Sequence, residues 1–135
     1  MAAWILKTEP SEYSFADLVK EGWAVWSGIS NPVALKHLRE VKKGDTLLIY
    51  HTGNERRIVG HARAKSGPYP DPALGDPKRV VIDVNAGKAL GTPVSLEQFK
   101  VDAMLSKTDL VRLGRLSVVP LSDAQYARVL KLAGE

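Results

Sequence analysis

Features that define several common enzyme and secreted-protein classes are missing from this sequence. Cysteine is absent from all 135 residues, which excludes disulfide bonds, thiol nucleophiles and cysteine-ligated zinc. The glycine-rich motifs that bind phosphates or dinucleotides are missing, as is the G-x-S-x-G turn that presents a nucleophilic serine. The N-terminal segment is apolar for only about five residues before Lys7, too short for a signal peptide or a membrane span. We therefore expect a cytoplasmic protein with no membrane contact and no cofactor.

The histidines form no recognisable metal-binding or catalytic pattern. His37, His51 and His61 lack the i, i+4 spacing of helical zinc sites, and a catalytic zinc usually takes three protein ligands. No carboxylate pair with a catalytic signature is visible, so we predict neither a metal site nor catalytic residues. One enzymatic alternative stays open, in which a small nucleotide-processing enzyme uses His51 as a general base with Asp71 as its partner.

Size and charge favour one domain with a polyanionic partner. A hydrophobic content of 44% over 135 residues is enough for one core, and we predict a single domain over residues 1–135. Nineteen lysines and arginines against fifteen acidic residues give a formal net charge of +4. Positive charge favours nucleic acids, because neutralising phosphates releases counterions. We expect a monomer.

Hydrophobic periodicity and capping signals predict short strands interleaved with short helices. Strands are predicted over residues 3–8, 23–26, 46–50, 58–64, 80–84 and 116–119, the last ended by Pro120. Helices are predicted to begin after the caps Ser14, Asn31, Ser95, Ser106 and Ser122. Residues 67–77 hold four of the eight prolines and are predicted to be an irregular connection.

The order of these elements predicts an α+β fold. The short spacing between residues 46–50 and 58–64 indicates an antiparallel hairpin, and the other connections are too irregular for a doubly wound sheet. We therefore predict a partly closed β-barrel of about five to six short strands decorated with short helices.

Aromatic and polar residues are concentrated in turns that follow predicted strands. Tyr50-His51-Thr52-Gly53 follows one strand, and Tyr69-Pro70-Asp71-Pro72 lies in the proline-rich connection. Trp26 precedes the predicted helix start at Asn31-Pro32, where backbone N–H groups favour an anion. This arrangement suits a nucleotide, with its base on the ring and its phosphate at the helix end. The alternative is that Trp26 is an ordinary core residue.

A set of basic residues could face a phosphate backbone. They lie on the second predicted helix and in the hairpin turn, and they are Lys36, Arg39, Lys42, Lys43, Arg56 and Arg57. A solvated helix face and an ordinary charged turn would account for the same pattern.

Taken together, the motifs resemble one known family. They are Lys7-Thr8-Glu9-Pro10, Trp26-Ser27-Gly28-Ile29-Ser30-Asn31, Leu38-Arg39, Lys43-Gly44-Asp45, Tyr50-His51-Thr52-Gly53, Ile58-Val59-Gly60, Tyr69-Pro70-Asp71-Pro72 and Leu116-Ser117-Val118. In this order, and over essentially the whole chain, they resemble the EVE domain family. The resemblance implies a PUA-like fold related to YTH and ASCH domains.

The resemblance also implies a function, because EVE domains are associated with binding modified cytosine in DNA by flipping the base into an aromatic-walled pocket. Carried onto the matching positions, the ligand-binding residues would be Lys7, Thr8, Trp26, Asn31, Tyr50, His51, Tyr69, Asp71, Leu116 and Ser117. Trp26 and Tyr69 would stack on the base, and Asn31 or Asp71 would bind its edge. Lys7 or Arg39 would suit a phosphate. Modified RNA, including transfer RNA, is the alternative ligand, since the chain is similar to the compact bacterial-type members.

Overall fold

The computed structural model describes residues 2–135, along which seven strands and five α-helices are interleaved. The strands are β1 (Ala3–Thr8), β2 (Trp23–Trp26), β3 (Thr46–His51), β4 (Arg57–Ala64), β5 (Tyr69–Pro70), β6 (Val80–Ser95) and β7 (Val118–Leu121). The helices are α1 (Phe15–Glu21), α2 (Pro32–Glu40), α3 (Leu96–Val101), α4 (Asp109–Arg112) and α5 (Asp123–Leu132), with a 3-10 turn at Leu105–Lys107. The predicted α+β class is confirmed.

The strands form one open sheet in the order β2-β6-β4-β3-β1-β7, with β5 paired to β6. The pairing of β1 with β3 is parallel, and the other pairings are antiparallel, including the predicted β3–β4 hairpin. Within residues 2–135, β2 and β7 are the two edges and do not pair with each other. The sheet is therefore not closed, and it has seven strands where about five to six were predicted. The sheet is barrel-like at most.

The sixth strand is much longer than predicted. The prediction covered residues 80–84, whereas β6 continues to Ser95 and pairs with β4 from Val84 onwards. The part of β6 that was not predicted includes Gly87, and glycine has low strand propensity. A Cβ at Gly87 would lie 2.7 Å from the backbone oxygen of His61. The close approach of β4 and β6 therefore requires a glycine at position 87. The same glycine weakens the strand pattern in the sequence, which is why this part of β6 was not predicted.

Two predicted boundaries near the C-terminus are wrong. Ser106 lies in the 3-10 turn rather than at a helix cap, and α4 begins after Thr108. The Thr108 hydroxyl donates to the Leu105 oxygen at 2.7 Å, which fixes the end of that turn. The last strand includes Pro120 instead of ending before it. An edge strand tolerates proline because its outer side needs no N–H donor.

The other predicted helix starts are confirmed. Ser14, Ser95 and Ser122 each form a capping box, in which the serine and the side chain three residues later satisfy each other's backbone N–H groups. Asn31 caps α2 with its side-chain oxygen. These bonds span only three residues, which is why local sequence predicts them.

Parallel pairing brings the C-terminal ends of β1 and β3 to one edge of the sheet. Thr8 lies opposite His51, and the Thr52 backbone N–H donates to the Thr8 oxygen at 3.0 Å. Both strands are anchored by fully buried side chains, among them Ile5 and Leu48. The segments that follow β1 and β3 therefore start from rigid positions. No helix described for residues 2–135 is long and apolar enough to cross a membrane.

Candidate functional site

An open cleft of about 710 Å³ lies at the C-terminal end of β1. Its walls are the end of β1 with the connection to α1, the end of β2 with the loop to α2, and Ser117 just before β7. The volume falls within the range of about 300–1,000 Å³ found for small-ligand sites. Five of the ten predicted ligand-binding residues line this cleft: Lys7, Thr8, Trp26, Asn31 and Ser117.

Two aromatic rings meet at the cleft. Trp26 and Tyr13 pack edge to face, with ring centroids 6.1 Å apart and planes at 78°. Trp26 is only 7% exposed and belongs to the hydrophobic core, so it is both a core residue and part of the cleft wall. The Thr8 hydroxyl donates to the Tyr13 backbone oxygen at 2.6 Å, which ties the second ring to the end of β1.

Hydrogen bonding holds the Tyr13 phenol in a fixed position. Its hydroxyl donates to the Glu21 carboxylate at 2.5 Å. Burial raises the pKa of Tyr13 well above its usual value, and the bond to Glu21 raises it further. The phenol is therefore protonated at neutral pH, and the ring stands between the Trp26 indole and the Glu21 carboxylate.

Lys7 is a wall residue with internal partners. Its ammonium donates to the Gly114 backbone oxygen at 2.9 Å and lies 5.5 Å from the centroid of the Tyr50 ring. Burial lowers the pKa of the Lys7 ammonium. One of its N–H donors is used by Gly114, which leaves the others for a ligand.

The cleft is more acidic than the chain as a whole. Glu9, Glu12 and Glu21 share its lining with the single lysine, Lys7, although the chain carries a formal charge of +4. The Ser11 backbone N–H, followed by the Thr52 hydroxyl, holds the pKa of Glu9 below its usual value. Such a lining favours ligand groups that donate hydrogen bonds and disfavours a phosphate inside the cleft.

The start of α2 does not offer the free donors expected for an anion. The Asn31 side-chain oxygen accepts from the N–H groups of Val33 at 2.9 Å and Ala34 at 3.1 Å. Pro32 has no N–H group, and the Leu35 N–H donates to the Asn31 backbone oxygen at 2.9 Å. A phosphate at this helix end would find its donors already in use. The Asn31 amide nitrogen is the part of that side chain left to donate.

The other five predicted ligand-binding residues lie outside the cleft. Tyr50 is 3% exposed in the middle of the sheet, and burial raises its pKa. His51 is 7% exposed, and both of its ring nitrogens have protein partners. Nε2 accepts from the Phe15 N–H at 2.9 Å, so Nδ1 carries the proton and donates to Glu55 at 3.0 Å.

Tyr69, Asp71 and Leu116 have structural partners of their own. The Tyr69 hydroxyl donates to Asp83 at 2.5 Å, a bond that raises the pKa of Tyr69 to about 12. Asp71 accepts from the Ala73 N–H at 2.9 Å and so closes a local turn. Leu116 is 5% exposed and lines a neighbouring hollow. These side chains are thus held by partners outside the cleft, and their role in ligand binding stays a prediction.

The predicted phosphate-contacting residues lie outside the cleft as well. Lys36, Lys43 and Arg56 are exposed. Arg39 donates to the Lys78 backbone oxygen at 3.3 Å, and Arg57 pairs with Glu55 at 3.4 Å. A role in backbone contacts stays a prediction for all five. Within residues 2–135, no group of three histidine or acidic side chains could hold a metal ion.

Among the cleft residues that sequence reasoning missed are Glu12, Tyr13 and Glu21, and Glu9 was identified only as part of a motif. The first two lie in the connection that directly follows the Lys7-Thr8-Glu9-Pro10 motif, and loops at strand ends are frequent sites of function. That position was a usable signal. Glu21 ends α1 and reaches the cleft only through the packing of that helix, so no local signal identifies it.

Comparison with known proteins agrees with this architecture. An NMR structure from Rhodopseudomonas palustris is 34% identical, with a TM-score of 0.94, covering 99% of this chain and 94% of that chain. Mouse thymocyte nuclear protein 1 is 27% identical, covering 96% of this chain and 72% of that protein.

Two solved complexes show the same PUA-like fold. One is human THYN1 with 5-methylcytosine-containing DNA, 24% identical with a TM-score of 0.90, covering 100% of this chain and 99% of that chain. The other is a YTH domain from Zygosaccharomyces rouxii with N6-methyladenosine RNA, 17% identical with a TM-score of 0.57, covering 98% and 86%. The EVE domain model matches residues 2–132. The chain therefore belongs to the EVE domain family.

Proposed function

We propose that this domain binds nucleic acid without catalysis and recognises a modified base, modified cytosine in DNA, flipped out of the duplex into the cleft. The observation that carries the proposal is that an aromatic pair and a set of base-edge hydrogen-bonding groups line one cleft. Trp26 and Tyr13 supply the rings, and Glu9, Asn31 and Ser117 are among the polar groups. The complex of human THYN1 with 5-methylcytosine-containing DNA supports this class of ligand.

The acidic lining suits the edge of cytosine. The exocyclic amino group of cytosine is a hydrogen-bond donor, and carboxylates are its typical acceptors in proteins. Glu9 is held ionised by its bonds to Ser11 and Thr52, and the Lys7 ammonium can donate to the base carbonyl. Flipping the base costs a few kcal/mol. Contacts with the aromatic rings, worth about 1–3 kcal/mol per base, must offset this cost together with the hydrogen bonds to the base edge.

Phosphates belong outside the cleft in this arrangement. Its carboxylates repel them, whereas the exposed basic residues around the domain attract them. The proposed contacts to the phosphate backbone are Lys36, Arg39, Lys43, Arg56 and Arg57. Because these contacts neutralise phosphates and release counterions, the affinity should depend on salt concentration.

The arrangement of His51 argues against the enzymatic alternative. A general base needs a free lone pair, and the Nε2 lone pair of His51 accepts the Phe15 N–H. Its proposed partner Asp71 is engaged with Ala73 instead. This supports binding without catalysis. The cytoplasmic location and the monomeric state stay predictions, and the name of the mouse relative points to the nucleus.

The proposal is tested by titrating duplexes that carry cytosine, 5-methylcytosine or 5-hydroxymethylcytosine at one position, with matching RNA duplexes alongside. We expect a modified DNA duplex to bind most tightly. Trp26→Phe should weaken that binding about tenfold, equivalent to about 1.4 kcal/mol. Trp23→Phe is the matched control, because Trp23 is 44% exposed and lies under the Lys65 ammonium, outside the cleft lining.

Three results would count against the proposal. Equal affinity for all DNA and RNA duplexes would show that the domain does not recognise the modification. Equal affinities of Trp26→Phe and wild type would show that the Trp26 ring does not contribute to binding. A preference for modified RNA over every DNA duplex would replace DNA by RNA as the ligand.

A further inference from the structure

An exposed turn next to the cleft carries an apolar side chain between two arginines. We call it the Leu113 turn, residues Arg112, Leu113, Gly114 and Arg115, all of which are exposed. The Leu113 side chain is 49% exposed. The turn lines a mostly apolar hollow of about 340 Å³ together with Asn31 and Val33, and Asn31 also lines the cleft.

The Leu113 turn is held rigidly against the cleft wall. The Leu113 N–H donates to the Asp109 oxygen at 2.8 Å, and the Leu116 N–H donates to the Leu113 oxygen at 2.9 Å. Lys7 donates two hydrogen bonds to this segment. Its ammonium donates to the Gly114 backbone oxygen at 2.9 Å, and its backbone N–H donates to the Ser117 backbone oxygen at 3.0 Å. A Cβ placed on Gly114 would meet no atom within 4 Å, so space is open at the tip of the turn.

A base flipped into the cleft leaves a gap in the duplex next to the cleft mouth. Proteins that bend DNA insert apolar side chains, leucine among them, between base steps, and a gap left by a flipped base offers an apolar side chain the same stacking surfaces. A side chain suited to this is apolar, exposed, rigidly mounted and adjacent to the site of the flipped base. Leu113 meets these four conditions, and Arg112 and Arg115 flank it with the charge that the neighbouring phosphates require.

We propose that Leu113 is the wedge that occupies the gap left by the flipped base, and that Arg112 and Arg115 contact the phosphates on either side. This inference rests on the proposed function of the cleft. The proposed ligand of the hollow at Leu113 is a double-stranded nucleic acid. The competing hypothesis is that a protein binds there.

The test compares Leu113→Ala with Leu74→Ala, a matched control because Leu74 is also 49% exposed and lies outside the cleft and the hollow. The ligands are a duplex and a single strand with the same 5-methylcytosine, each carrying 2-aminopurine beside the modified base. We expect Leu113→Ala to weaken duplex binding about tenfold and to reduce the fluorescence increase of 2-aminopurine. Binding of the single strand should change less than about twofold, because a single strand has no gap to fill. Leu74→Ala should match wild type.

The arginines are tested through salt dependence. The pair Arg112→Gln with Arg115→Gln should reduce the slope of log affinity against log salt by about 2, since each phosphate contact contributes about 0.9. Lys131→Gln removes an exposed charge on α5 and should leave the slope unchanged.

The outcomes separate this inference from the function on which it rests. Unchanged duplex binding by Leu113→Ala, with binding still dependent on Trp26, would refute the wedge and leave the cleft intact. Equal losses for duplex and single strand would also refute the wedge. If wild type distinguishes modified from unmodified cytosine in neither ligand, the proposed function fails and the wedge fails with it.

Discussion

Replacing His51 tests whether this residue supports the fold or contacts the ligand. Its Nε2 accepts the N–H of Phe15, the first residue of α1, and its Nδ1–H donates to Glu55. The first N–H groups of a helix have no acceptor within the helix, so His51 acts as a cap supplied by β3. Through α1 it also helps to place Glu21, a cleft residue.

The structure gives the size of the expected effect. His51→Ala leaves the buried Phe15 N–H without an acceptor, at about 1–3 kcal/mol. Loss of the bond to the partly exposed Glu55 adds about 0.5–1 kcal/mol, and the space left by the ring adds about 1–2 kcal/mol. We expect the free energy of unfolding to fall by about 3–5 kcal/mol. His51→Gln can place an oxygen near the position of Nε2, and should lose only about 1–2 kcal/mol.

Urea unfolding followed by tryptophan fluorescence measures these free energies. A domain of this size is stable by about 5–15 kcal/mol, so both variants should retain a measurable folded baseline. The affinity of folded His51→Gln for a duplex with 5-methylcytosine should stay within about threefold of wild type. Wild-type stability combined with lost binding in both variants would refute the reasoning and make His51 a ligand-binding residue.

Two further predictions concern stability. Asp45 is 3% exposed and accepts from the Trp4 indole at 3.0 Å and the Lys42 N–H at 2.9 Å, so Asp45→Ala should lower the free energy of unfolding by about 3–5 kcal/mol in urea titrations. A loss below about 1 kcal/mol would contradict this. The backbone N–H of Leu105 and the Arg128 guanidinium hold the pKa of Asp102 below its usual value, so its charge stabilises the fold near neutral pH and this contribution is lost as pH falls through the lowered pKa. Asp102→Asn should therefore cost about 1–2 kcal/mol at pH 7 and converge with wild type in acid, whereas a difference that persists unchanged to about pH 2 would exclude this linkage.

Local sequence determined much of the secondary structure. The capping boxes at Ser14, Ser95 and Ser122 are bonds between residues three apart, so their signal is complete within four residues. The β3–β4 hairpin was equally local. The length of β6 was not, because the close approach that requires Gly87 comes from a neighbouring strand.

The candidate site was predicted only in part, because local motifs are visible in the sequence whereas contacts between distant segments are not. The motifs around Lys7 and Trp26 identified two walls of the cleft, because short motifs at strand ends can be recognised without knowing what they contact. The inward turn of His51 could not be foreseen, since it depends on the Phe15 N–H of a helix that another part of the chain supplies.

The sequence by itself determined the family, the α+β class and most of the helix starts. Only the tertiary structure decided that Tyr13 and Glu21 enter the cleft, while Tyr50 and His51 are buried beside it. The physical reason is the parallel pairing of β1 with β3. This long-range contact sets which strand-end side chains face solvent and which satisfy the polar groups of their neighbours.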